Sequence, residues 1–203
     1  ALAAVVVELG FFGRPPVFAG LFHRFMPTVL AMPVVVFVGV GLIEEYLKYA
    51  AVKFAVLSRS DFDEPIDAMI YMVTAALGFA AIENVLFLVP VLERSFLSGF
   101  ELTTNRFLGA NLLHALSSAI VGYALARHMF TPRHKHAVAA GVILAGALHA
   151  LFNYFIIIKD AIPTSLLLVI LLLFLMAVAV LVEFERLKNP RIITNRGANN
   201  TNT

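Results

Sequence analysis

The chain has 203 residues, of which 61% are hydrophobic and only 14% charged, with a formal net charge of +2 and a mean hydropathy of +0.90. A soluble domain carries about 25% charged residues, so this composition points to a membrane protein, and the length suits one compact bundle rather than two domains. The absence of cysteine excludes thiol catalysis, disulfides and cysteine-ligated metals. Nothing in the charge pattern marks a nucleic-acid-binding protein.

With Ala1 as its first residue, the chain is expected to lack its natural start. A membrane span needs roughly 20 mostly apolar residues. Residues 1–12 read as the end of a first helix, and 13–27, broken by Gly13, Pro15, Pro16 and Gly20, as an interfacial loop. Full spans are expected at 30–57, 66–92, 106–127, 137–158 and 163–185. The expected fold is thus all-α, a polytopic transmembrane helix bundle of five full spans plus a partial N-terminal one, forming a single integral membrane domain over 1–203. Its end, 187–203, is polar, rich in Asn and Thr, and expected to be disordered. Short connections make sequential helices antiparallel neighbours. No internal repeat of the kind that marks many secondary transporters is present.

Loop charge sets the expected orientation. Arg59, Arg127, Arg133, Lys135, Arg186, Lys188, Arg191 and Arg196 fall on one side, against Arg14, Arg24, Arg94, Arg106 and Lys159 on the other. The first side, with the C-terminus, is expected to be cytoplasmic. His128, His134 and His136 lie in the loop RHMFTPRHKH and invite a metal reading, but a basic loop facing anionic headgroups explains them more simply.

Several titratable residues interrupt the apolar stretches: Glu44, Glu45 and Lys48, then Glu83, His114 and His149, on four separate spans. A charge at the bilayer centre costs about 2.5–3.5 kcal/mol or more, so intramembrane ionisable residues point to function. Glu44, Glu83, His114 and His149 are expected near one depth. The four-residue rows Asp67, Tyr71, Ala75, Phe79, Glu83 and Ala110, His114, Ser118, Gly122, Ala126 and Ala137, Gly141, Ala145, His149, Asn153 place them on packing faces lined by small residues. Glu44 and Lys48 have the spacing of an i,i+4 ion pair, which leaves Glu45 as a second acid at the same depth. Adjacent carboxylates in low dielectric suit acid–base work. Taken singly, either histidine reads as an interhelical hydrogen-bonding group, and Asn153 as a partner for a backbone carbonyl. Ser117 and Ser118 read as helix-packing residues, since nothing marks a nucleophile elbow.

Carboxylates can activate water as general bases or bind a metal that does so, imidazoles can share either task, and an amide such as Asn153 can stabilise an oxyanion. This set fits hydrolysis of an amide bond by water. A helical HExxH zinc motif is absent, so any metal site must be assembled from separate helices. Glu44, Glu83, His114 and His149 can supply the three or four ligands of a catalytic zinc or other divalent ion; activation of water by glutamate without a metal is the slightly favoured reading. The alternatives from other classes are a proton- or ion-coupled transporter or channel, and a non-catalytic membrane binding protein.

The same residues resemble a known family. Glu44, Glu45 and Lys48 form its two-glutamate, two-spacer, lysine motif. Phe79 and Glu83 give its FxxxE pattern within DEPIDAMIYMVTAALGFAAIENVLF, and His114 in HALSSAIVGY and His149 with Asn153 in HALFN follow in order. Over 44–155 the chain resembles the PrsW family of polytopic intramembrane proteases, related to the CAAX-processing and bacteriocin-processing membrane proteases. The wider group usually has His where this chain has Glu83. The resemblance implies an endopeptidase of a bacterial or archaeal cell membrane, acting on a membrane-anchored protein substrate such as an anti-sigma factor. It implies Glu44 as the acid that polarises water, Glu45 in support, Glu83 sharing the water or metal, and His149 with Asn153 on the substrate carbonyl. Lys48, His114 and Phe79 take supporting roles.

Overall fold

A computed structural model describes residues 28–92, 95–130 and 136–188. Every regular element among them is helical: α1 (Thr28–Ala55), α2 (Pro65–Leu92), α3 (Phe96–Arg106), a π-helical turn (Phe107–Asn111), α4 (Leu112–Phe130), α5 (Ala137–Ile157), a 3-10 turn (Ile158–Asp160) and α6 (Ser165–Lys188).

Among the described residues, four helices are long and apolar enough to cross a membrane: Pro65–Val89, Phe107–Phe130, Ala137–Ile157 and Ser165–Lys188. They match the last four expected spans. The first expected full span corresponds to the 28 residues of α1, whose second half carries Glu44, Glu45, Lys48 and Lys53. The expected partial helix at 1–12 and the loop at 13–27 lie outside the described residues. Of the expected tail, Leu187 and Lys188 complete α6, with Leu187 buried, and the rest lies outside them too.

Local sequence explains the helix ends. Pro65 opens α2 at a position where a missing N–H costs nothing, and the Asp67 carboxylate accepts the backbone N–H groups of Asp63 and Glu64 at 3.2 and 2.8 Å, one half of a capping box. The buried Ser165 hydroxyl donates to the Phe155 carbonyl at 2.9 Å and ties the start of α6 to the end of α5. The amphipathic α3, absent from the expected elements, fills the connection between α2 and α4; its Thr103 and Thr104 hydroxyls fold back onto the carbonyls of Gly99 and Phe100.

At two glycines a neighbouring helix presents its backbone carbonyl. A Cβ at Gly41 of α1 would stand 2.7 Å from the Gly146 carbonyl of α5, and one at Gly122 of α4 would stand 2.7 Å from the Ala68 carbonyl of α2. Such contacts bring backbones close, as small residues do between membrane helices. One apolar core, with Val52, Met69, Met72, Val121 and Leu125, fills one end of the bundle; a second, with Leu113, Leu116, Phe152 and Leu173, joins α4, α5 and α6.

The burial pattern inverts that of a soluble protein. Ile82, Val85, Leu167, Ile170, Phe174 and Leu181 are exposed, whereas Glu44, Glu45, Lys48, Glu83, His114 and His149 are buried. Leaving that much aliphatic surface uncovered while burying charge makes sense when the surrounding solvent is lipid.

Candidate active site

The buried polar residues converge from α1, α2, α4 and α5. Glu83 stands six residues past the middle of its 25-residue span, about 9 Å along the axis. The cluster is therefore displaced from mid-span on α2, toward the end of the bundle that carries Arg106.

Neighbouring residues of a helix point about 100° apart, which separates Glu44 from Glu45. Glu45 turns toward α4 and is saturated. Its Oε1 accepts Lys48 Nζ at 2.7 Å and Ser117 Oγ at 2.9 Å, and its Oε2 accepts Ser118 Oγ at 2.8 Å. His149 Nδ1 approaches Oε1 at 3.3 Å, and because a carboxylate only accepts, this ring nitrogen carries the proton. The i,i+4 pair expected between Glu44 and Lys48 is not the one formed. Lys48 takes Glu45, three residues away, because there the serine hydroxyls complete the solvation of the buried charge.

Lys48 also reaches His114 Nδ1 at 2.8 Å, and its ammonium lies 4.8 Å from the centroid of the Phe79 ring. An ammonium has no acceptor, so His114 Nδ1 receives and the ring proton sits on Nε2. That nitrogen donates to Glu83 Oε2 at 3.0 Å. Phe79, 5.6 Å from His114 between ring centroids, thus packs on both members of the pair.

Glu44 turns toward α5. Its Oε2 is buried without a hydrogen-bond partner and faces His149 Nε2 at 3.6 Å, beyond hydrogen-bonding reach. With Nδ1 donating to Glu45, Nε2 is the ring nitrogen that faces this unpartnered oxygen. His149 and His114 meet edge to face, 5.0 Å apart between centroids. Asn153 lies one turn beyond His149, half-buried, with no side-chain hydrogen bond among the described residues.

Glu44, His114 and His149 place ligand-capable atoms within 4.8 Å of one another. Of the four metal ligands expected from the sequence, Glu83 is not in this group; it is engaged by His114 and by Arg106 Nη2 at 2.7 Å. The donors available in place are Glu44 Oε2 and His149 Nε2. Their 3.6 Å gap is one that two bonds of about 2.0–2.2 Å can bridge, and the Glu45 carboxylate behind His149 is the usual support of a metal-binding imidazole. His114 can join them only by giving up Lys48 or Glu83. The residues therefore fit a divalent ion, with two ready ligands and a third that must let go of a partner. His128 and His136 are exposed and stand outside this group, and His134 lies outside the described residues.

Arg106, Asn84 and Asn111 were not legible as site residues. Arg106 reads as a loop charge, yet its Nε donates to Asn84 Oδ1 at 2.8 Å and its guanidinium lies 4.3 Å from the centroid of Phe87. Ser117 and Ser118 serve Glu45 rather than packing alone. The signal was the spacing of Asn111, His114, Ser117 and Ser118 at three- and four-residue steps, a polar stripe on an otherwise apolar helix.

Known proteins resemble this chain over most of its length. The family described as PrsW family intramembrane metalloprotease matches residues 1–181. The chain is similar to the protease PrsW of Geobacillus kaustophilus, 29% identical over 160 residues that cover 76% of this chain and 68% of that protein. It is also similar to the protease PrsW of Oceanobacillus iheyensis, 29% identical over 58% of this chain and 52% of the relative, and to that of Bacillus subtilis, 28% identical over the same shares. Against these last two the chain spans about half of the relative's length. No solved structure gives a significant match. The match over residues 1–181, more than half of the chain, places it in the PrsW family of intramembrane metalloproteases.

Proposed function

We propose that this chain is an intramembrane endopeptidase that hydrolyses a peptide bond of a membrane-anchored protein, with Glu44 as the group that takes the proton from water. The observation that carries the reading is the buried, unpartnered Glu44 Oε2 facing Nε2 of His149 at 3.6 Å. An unpaired acceptor in a membrane bundle is costly, and a water placed between these two atoms satisfies both.

In the proposed reaction, water bonds to the scissile carbonyl carbon as Glu44 accepts its proton. The carbonyl oxygen becomes an oxyanion, stabilised by the amide of Asn153, one turn from His149. Collapse breaks the C–N bond, and Glu44 returns its proton to the departing nitrogen, which leaves an acid and an amine. His149 is oriented by Glu45, which Lys48, Ser117 and Ser118 hold in place, while Glu83 and His114 border the same space.

A divalent metal, which the family description implies, would be held by Glu44 and His149, with His114 as the third ligand. Bound there, it would supply Lewis-acid polarisation and ease deprotonation of water. The roles of Glu45, Lys48 and Asn153 are the same with or without it.

The single integral membrane domain, the bacterial or archaeal membrane, a cytoplasmic C-terminus and a substrate of the anti-sigma-factor type complete the reading. They are supported by the loop charges and by the resemblance of the motifs. The test is reconstitution of purified protein with a single-pass substrate. Glu44→Gln and Glu83→Gln should each lower cleavage by at least about a hundredfold while remaining folded and inserted. A well-folded Glu44→Gln protein that still cleaves at near the wild-type rate would remove Glu44 from the chemistry.

A further inference from the structure

The π-helical turn Phe107–Asn111 interrupts the helix three residues before His114. In an uninterrupted α-helix, the eight residues from Arg106 to His114 would leave the two side chains about 80° apart in phase. A π turn takes up one extra residue, so the eight count as seven. Seven residues fall within about 20° of two whole turns. The turn therefore brings Arg106 and His114 onto one face, and both donate to the same oxygen: Arg106 Nη2 to Glu83 Oε2 at 2.7 Å and His114 Nε2 to Glu83 Oε2 at 3.0 Å.

A second set of bonds holds the turn. Asn111, its last residue, accepts Asn84 Nδ2 at 2.8 Å, and Asn84 in turn accepts Arg106 Nε at 2.8 Å. Asn84 adjoins Glu83 on α2, so the two ends of the π turn are tied to one short stretch of the facing helix. On its other side, a Cβ at Gly109 would stand 3.4 Å from Phe152 of α5, so the turn is seated against a second helix as well. A π turn is rare and costs hydrogen-bond geometry relative to α; this network offsets that cost.

We propose that Arg106, Asn84 and Asn111 form a positioning clamp that holds the π turn and thereby fixes the Glu83 carboxylate against His114, with Arg106 as the positioning residue for Glu83. Neither donor uses Glu83 Oε1, which the clamp holds in one orientation while Oε2 is occupied. The inference rests on the proposed protease reading for its kinetic arm only.

The experiment compares Arg106→Gln, Arg106→Lys and Asn84→Ala with wild type in two measurements on the full chain in micelles. The first is cleavage of a single-pass substrate. Arg106→Gln should lower kcat by about ten- to a hundredfold, the worth of a charged hydrogen bond, with KM changed less than about twofold. Arg106→Lys should restore part of the loss, since a cation can still meet Glu83 Oε2. The second is amide hydrogen exchange at 107–111, which should quicken by about tenfold in Arg106→Gln and in Asn84→Ala while the amides of α6 are unchanged. Asn84→Ala keeps both Arg106 and Glu83 and so reports on the clamp even where Arg106→Gln does not fold. Exchange at 107–111 that is unchanged in the folded variants, or Arg106→Gln with wild-type kcat, would overturn the clamp. If wild type itself cleaves nothing, the protease reading fails and the exchange measurement alone decides this one.

Discussion

Lys48→Met is the most informative perturbation of the polar cluster. Methionine keeps an unbranched apolar stem but removes the ammonium that bonds Glu45 at 2.7 Å and His114 at 2.8 Å. Glu45 is completely buried, so its carboxylate would then rest on two serine hydroxyls and one imidazole N–H without a cation. Removing one partner of a buried pair costs about 3–5 kcal/mol. The surviving hydrogen bonds pull the figure toward the lower end, and the loss of the donor to His114 adds about 1 kcal/mol. A net 3–5 kcal/mol corresponds to a fall in Tm of about 6–20 °C for a chain of this size. With no tryptophan in the sequence, thermal unfolding in micelles is best followed by far-UV circular dichroism. The double variant Lys48→Met with Glu45→Gln should recover most of the loss, because a neutral amide still meets Ser117, Ser118 and His149 but leaves no charge stranded. A single variant that melts within about 2 °C of wild type, or a double variant worse than the single, would show that Lys48 does not neutralise Glu45.

Glu44→Gln should melt at or above the wild-type temperature even as it loses cleavage, because Glu44 Oε2 has no hydrogen-bond partner to lose; thermal unfolding and substrate cleavage on one preparation check both. Gly122→Val should prevent correct packing of α2 on α4, since even a Cβ there stands 2.6 Å from the Met69 Cα; loss of folded protein after detergent extraction is the readout. Elemental analysis of active protein should find up to one divalent ion per chain. Glu44→Gln and His149→Ala should each reduce its occupancy, whereas Asp61→Asn, in the exposed pair of Asp61 with Arg59, should not.

The sequence made the site's members legible, because a charge within an apolar span stands out at once: Glu44, Glu45, Lys48, Glu83, His114 and His149 all converge. Four of the five expected full spans are likewise helices long and apolar enough to cross a membrane. The partners of these residues were not legible. Whether Lys48 takes Glu44 or Glu45 depends on serines contributed by another helix, and four- and three-residue spacings are both allowed on α1. Arg106 was hidden because its role needs a change of helical phase. The run FLGAN carries no signal of a π turn that is separable from an ordinary helix; the turn is specified by Asn84 across the interface. The short α3 was missed because a strongly apolar neighbourhood masks a single amphipathic run of 11 residues.

The glycine contacts bear on how a peptide would reach Glu44 in the proposed reaction. At Gly41 against the Gly146 carbonyl, and at Gly122 against the Ala68 carbonyl, there is no side chain to swing aside, so backbone meets backbone. Parting either pair means moving a whole helix, whereas a seam filled by side chains can open through rotamer changes alone. The α1–α5 and α2–α4 seams are therefore closed doors. In the proposed reaction, an unwound polypeptide bound for Glu44 would have to enter elsewhere than through these two seams.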